Sequence, residues 1–121
     1  MQYKQLGKTG YKVSTMGIGG IPIQRVGEQV AKEVIAVAVE MGVNFLDTAR
    51  GYTDSEEKFG QALQGVRDRF VLASKTPSRD AAGARRDLET SLRMLKIDSI
   101  DLYQLHNVSK EAELEQVLGP R

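Results

Sequence analysis

Four short apolar runs, Val13–Gly17, Asn44–Asp47, Phe70–Ala73 and Ile100–His106, recur along this chain, each with a longer amphipathic segment before the next. The spacing is about 30 residues, the length a crossover helix needs to bring the next strand back parallel to the last. Alternating β and α at that interval implies an α/β fold with a parallel sheet and helices packed on it. Two architectures satisfy the pattern, an open doubly wound sheet and a (β/α)8 barrel. A barrel of eight units takes about 250 residues; this chain has 121. Read as a barrel it would hold half of one, as a single partial domain, and the doubly wound sheet stays open as the alternative here.

The first residues stand apart from the repeat. Gly7 and Gly10 within the polar run Leu6–Lys12 predict a β-hairpin joining Gln2–Leu6 to Tyr11–Ser14. The first parallel strand then runs into Gly17, Gly19 and Gly20. These glycines can let backbone approach a ligand, although glycines that only turn the chain are commoner. The pattern lacks the third glycine and the downstream acid of a dinucleotide fingerprint.

The helices follow from periodicity. Val30, Val34, Val37, Ala38 and Met41 recur three and four apart, predicting a helix over Glu28–Met41 with that stripe inward and Gly42 ending it. Thr53 and Glu56 have the spacing of a capping box opening a second helix with Phe59, Leu63 and Val66. A third spans about Ser78–Leu95, with Ala84, Leu88, Leu92 and Leu95 on one face. The fourth, Glu111–Leu118, has Leu114, Val117 and Leu118 as its apolar face.

Composition narrows the functional classes. Seventeen Lys and Arg balance sixteen Asp and Glu, a net charge of +1, so no basic surface points to nucleic acid or an anionic membrane. With no cysteine and one histidine, no metal site is expected. No apolar run approaches 20 residues, and the polar N-terminus has no secretion-signal layout, so a cytoplasmic location is expected.

In parallel βα folds, functional groups gather at the carboxyl ends of the strands, where the loops converge. The second strand ends at Asp47 and its loop carries Tyr52, the third run is followed by Lys75, and the fourth ends at His106. Each has an ordinary explanation alone: a turn cap, a packed ring, a solvated ammonium, a satisfied histidine. Together they make a proton-transfer set. A phenol titrates near pH 10. An ammonium beside it favours the phenolate, and an acid beside the ammonium keeps it charged and oriented. A histidine can direct a substrate oxygen by hydrogen bonding. An acid aimed at a carbonyl oxygen, with no nucleophilic Ser or Cys nearby, calls for a hydride donor such as a nicotinamide cofactor.

These residues carry a resemblance to the aldo-keto reductases. It extends over essentially the whole chain and is most specific in GVNFLDTARGYTDSEEKFG, Gly42–Gly60, where the acid stands five residues before the tyrosine. MGIGG at Met16–Gly20 and LYQLH at Leu102–His106 also match, and Asp47, Tyr52, Lys75 and His106 fall in the family's order. Phe59, where an aliphatic residue is usual, and Thr53, where many members have Gly, are departures. The resemblance implies the N-terminal half of a (β/α)8 TIM barrel and NADPH- or NADH-dependent reduction of an aldehyde or ketone to an alcohol. It makes Tyr52 the general acid, Lys75 and Asp47 its tuning pair and His106 the carbonyl orienter. It also brings Gly19, Gly20, Ile21, Asp47 and Asn107 toward the cofactor.

In that family the cofactor phosphates are held by later strands. The reading therefore expects the isolated chain to be inactive, with no tightly bound cofactor, and the stop at Arg121 to reflect truncation or cleavage. Open strand edges at Val13–Gly17 and Ile100–His106 are expected to bring two copies together as a homodimer. Two alternatives are a Schiff-base aldolase using Lys75 and a non-catalytic binding or regulatory protein that keeps the reductase fold.

Overall fold

The computed structural model describes residues 1–119; the stop at Arg121, read above as truncation or cleavage, lies outside them. The hairpin is present, with β1 (Tyr3–Gln5) antiparallel to β2 (Lys12–Ser14) and Lys4 opposite Val13. A separate sheet of four parallel strands follows, in the order β3 (Ile18–Gly19), β4 (Phe45–Asp47), β5 (Val71–Thr76) and β6 (Leu102–Leu105). The connecting helices are α1 (Glu28–Met41), α2 (Ser55–Ala62) and α3 (Ala81–Leu95), and α4 (Glu111–Leu118) follows β6. No described helix is long and apolar enough to cross a membrane.

The first parallel strand lies further along than the apolar run suggested. Val13 and Ser14 belong to the hairpin, Ser14 Oγ donates to the Met16 carbonyl across a bend, and pairing with β4 begins at Ile18 opposite Leu46. The free edge on this side is therefore Ile18–Gly19. The third strand is longer than predicted, so Lys75 sits within β5 rather than after it.

Alternation along the strands sorts side chains to two faces. Leu46 and Leu72 point toward the helices and are fully buried with Ile35, Phe59, Leu63 and Leu95 in the core. α1 keeps its predicted bounds and ends on Gly42, whose φ of 76° suits glycine and whose N–H donates to the Val39 carbonyl while the Val43 N–H reaches that of Ala38. Its inward face is not the valine stripe. Ala31, Ile35 and Ala38 are buried; Val34 is half-buried, while Val30, Val37 and Met41 are 47%, 50% and 57% exposed. Small residues against the core admit the helix closely, leaving the valines beside the β3 edge. There Met16, Ile18, Val30, Val34, Val37 and Met41 line an open apolar groove of about 380 Å³.

α4 also keeps its predicted bounds, but its apolar face is uncovered: it has no buried residue, and Leu114 and Leu118 are exposed. α3 matches the prediction in its middle and end, opening at Ala81 where the Asp80 side chain accepts the Gly83 N–H at 2.8 Å. Its fully buried residues are Gly83, Ser91 and Leu95; Ala84, Leu88 and Leu92 flank them half-buried.

Candidate active site

β4 ends on Asp47 and β5 carries Lys75 on the face turned away from the helices, so the two side chains meet across the sheet. Lys75 Nζ donates to Asp47 Oδ2 at 2.6 Å and to the Thr48 carbonyl at 2.9 Å. Its third partner is the Tyr52 hydroxyl at 3.4 Å, and the ammonium lies 4.9 Å from the Tyr52 ring centre. The lysine is only 14% exposed, so each of its donors counts toward holding it. His106 follows β6 and sets its ring edge-on to Tyr52, with centroids 5.3 Å apart and planes at 87°. All four residues named from the sequence converge at the carboxyl ends of the strands.

The loop that presents Tyr52 is fastened at several points. The Thr48 N–H donates to the Ala73 carbonyl at 2.9 Å and the Arg50 N–H to the Lys75 carbonyl at 3.0 Å, extending the β4–β5 ladder past the strand end. The Tyr52 N–H turns back to the Ala49 carbonyl at 3.1 Å. Thr48 and Ser55 share a buried hydroxyl–hydroxyl hydrogen bond of 2.8 Å beneath it.

The predicted capping box does not form. Asp54 holds the cap position of α2 without a side-chain capping bond. Thr53, at a positive φ of 37°, turns its hydroxyl to Gln24 Oε1 at 2.8 Å. Glu56 instead lies buried, accepting from Arg50 Nη1 and, at 2.6 Å, from Ser74 Oγ. A cation and a hydroxyl from the fold hold it more strongly than the local backbone N–H would. Asp54 accepts the Arg25 N–H at 2.8 Å, latching the β3–α1 loop onto this one, and that hydrogen bond holds its carboxyl below the usual range.

Of the five residues that the resemblance brings toward the cofactor, the four besides Asp47 differ in surroundings. Gly19 stands opposite Asp47 with open space where a side chain would be, so a flat group can approach its backbone. Gly20 is buried; a Cβ there would lie 2.6 Å from both the Thr48 and Ser55 hydroxyls, so its bareness serves that contact. Ile21 is exposed at 58%. Asn107, exposed at a φ of 55°, adjoins His106.

Two contributors escaped the sequence reading. Gln104 Nε2 donates to Asp47 Oδ1 at 3.2 Å, so the carboxylate is gripped through both oxygens. Gln104 is two residues before His106, and strand alternation could have found it. Arg79 has no such local signal: its Nη2 reaches across to the His106 carbonyl at 2.6 Å and the Asn107 carbonyl at 3.3 Å. Beneath the strand ends, Asp87 on α3 accepts from Thr76 Oγ1 at 2.5 Å and Ser78 Oγ at 2.7 Å. Burial pushes that carboxyl up, but these hydrogen bonds and the Ser78 N–H outweigh it and hold it below the ordinary range. Among the described residues, no three metal-ligating side chains converge.

Comparison with known proteins agrees with this geometry. Residues 15–119 match the model of the aldo/keto reductase family. Aldo-keto reductase YhdN of Bacillus subtilis is 36% identical over 125 aligned residues, which cover 88% of this chain and 38% of that protein. A putative aldo-keto reductase structure from Pseudomonas aeruginosa superposes with a TM-score of 0.87 at 34% identity, covering 93% of this chain and 49% of that one. The holo form of AKR11C1 from Bacillus halodurans gives 0.78 at 34% identity, covering 87% and 40%. The chain thus spans about half or less of the length of these relatives, and its four parallel strands with their helices are half of their (β/α)8 barrel. With its signature loop, strand order and length of match all in agreement, this chain belongs to the aldo/keto reductase family.

Proposed function

We propose that this chain carries the acid side of a carbonyl-reducing site, in which an NAD(P)H-dependent oxidoreductase converts an aldehyde or ketone to an alcohol. The observation that carries the reading is the Lys75 ammonium placed between Asp47 and the Tyr52 hydroxyl, with the His106 ring against the same phenol. A nicotinamide cofactor, when bound, supplies the hydride that the carbonyl carbon accepts. Tyr52 gives its proton to the carbonyl oxygen, leaving a phenolate that Lys75 faces as a cation. Asp47, held by Lys75 and Gln104, fixes the lysine's direction, and a ring N–H of His106 orients the carbonyl oxygen. The open backbone at Gly19, together with Asp47 and Asn107, fits the approach of a flat ring. A cytoplasmic setting belongs to the same reading.

Tyr52, in contact with Lys75 and His106, has no part in a Schiff-base mechanism, so the aldolase alternative leaves half of the constellation unused. Turnover is expected in a full barrel whose first half is this chain, for example one grafted onto the second half of the Bacillus subtilis relative, and not in the chain alone. In that barrel Tyr52→Phe lowers NADPH oxidation with a simple aldehyde by about 10²–10⁴-fold. An unchanged rate would refute the assigned acid.

We further propose that the isolated chain pairs with a second copy. Both outer strands have a free edge, and apolar side chains are uncovered at both ends of the sheet: Val30, Val37 and Met41 beside β3, Leu105 on β6, and Leu114 and Leu118 on the helix that follows it. Around a twofold axis, β6 of each copy can continue into β3 of the other, giving eight parallel strands. A stable monomer by light scattering at micromolar concentration would contradict this.

A further inference from the structure

We propose that Glu56 is a positioning residue for Tyr52, acting through Arg50 and Ser74; the inference rests on the carbonyl-reduction reading for what that positioning serves. Glu56 is 1% exposed, at the start of α2, on the opposite side of the sheet from Lys75. A carboxylate so buried needs its charge met and its lone pairs filled. Arg50 supplies the cation and Ser74 the second donor.

These partners make the pair a device for setting the loop. Arg50 stands two residues before Tyr52, and its own N–H is tied to the Lys75 carbonyl at 3.0 Å. Ser74 immediately precedes Lys75 on β5. Glu56 therefore joins the strand that carries the lysine to the loop that carries the tyrosine, by bonds on the helix side. The contact it controls on the other side is the 3.4 Å approach of Lys75 Nζ to the Tyr52 hydroxyl. Ser55 and Thr48 brace the loop's base but do not reach its Arg50–Tyr52 apex through side chains. Without the Arg50–Glu56 pair, the apex keeps its backbone bonds and the long 3.4 Å contact of Lys75 with the Tyr52 hydroxyl, and Tyr52 loses its fixed height over Lys75 and His106.

His106 is the single histidine, and it meets the Tyr52 ring edge-on, so its ring protons report where that aromatic ring sits. The test is proton NMR of this chain and its variants, needing neither cofactor nor turnover. Tyr52→Leu sets the scale by removing the aromatic ring. Arg50→Met, at a partly exposed side chain, moves the His106 resonances most of the way to that value while thermal unfolding stays cooperative. Glu56→Met does the same. Glu56→Gln, which keeps an acceptor for Arg50 and a partner for Ser74, retains the wild-type position. Should Glu56→Met fail to fold, Arg50→Met decides. A folded Arg50→Met chain with His106 resonances unmoved would overturn the proposal. Failure of the reductase reading would appear separately, as unchanged turnover of Tyr52→Phe in the full barrel.

Discussion

Between β4 and β5 both faces of the sheet are occupied: Leu46 and Leu72 are sealed against Phe59 and Leu63 on one side, and Asp47 and Lys75 are bonded to each other on the other. At β6 the same alternation of strand and helix ends differently, because α4 has no buried residue and Leu105, Leu114 and Leu118 face outward. The site straddles this divide. Asp47, Tyr52 and Lys75 stand on the filled centre, where the chain's own core fixes them. His106 stands on the sparse edge, where Arg79 clamps its carbonyl. Three members of the constellation inherit their geometry from packing, and the fourth from the end of the β5–β6 ladder, where its N–H donates to the Thr76 carbonyl at 2.8 Å, and from the Arg79 cation.

Substitutions can break that contrast. Phe59→Ala, at a fully buried ring, is expected to cost about 3–5 kcal/mol in urea unfolding, whereas Leu114→Ala on α4 falls within about 0.5 kcal/mol at low protein concentration. Equal losses at the two sites would erase the distinction, and a Leu114→Ala cost that grows with concentration would locate the second copy on α4. Arg79→Met is expected to cost about 1 kcal/mol and to speed amide exchange after β6 while leaving β4 and β5 protected. Exchange rising across all strands alike would show that the edge is not independent.

The smallest effect concerns acid. Because the folded Asp87 carboxyl lies below its unfolded value, its contribution is present above the unfolded pKa of about 3.9 and disappears as pH falls through the folded one. Asp87→Asn should therefore flatten the acid limb of the stability profile, seen as urea midpoints that converge with wild type at low pH and separate above it. A constant gap between the two profiles would assign the loss to shape rather than charge.

The same contrast explains what was legible in the sequence. The β4–loop–α2 region was readable because its residues act close to where they stand: Asp47 ends a strand, Tyr52 follows in the loop, and Phe59 lies on the helix that returns. The bounds of α1 and α4 were legible from periodicity, but the inward face of α1 was not. Two apolar stripes overlap on it and share Ala38; hydropathy favours valines over Ala31 and does not separate them from Ile35, whereas packing in the core buries Ala31 and Ile35. Glu56 mimicked a local cap because its two partners, Arg50 and Ser74, are chosen by the fold. Val13–Gly17 gave an apolar run in the right place for a parallel strand, yet Val13 pairs with Lys4, and local hairpin closure claims the run's first half. Arg79 carried no pattern, since its work is done across the gap between two loops.

This half of a barrel brings Asp47, Tyr52, Lys75 and His106 together by itself. The direct measurement is a nuclear Overhauser contact between the ring protons of His106, the sole histidine, and those of Tyr52 in this chain in solution. That contact is expected at an intensity fitting rings 5.3 Å apart between centroids. A folded chain in which the contact is absent would contradict it.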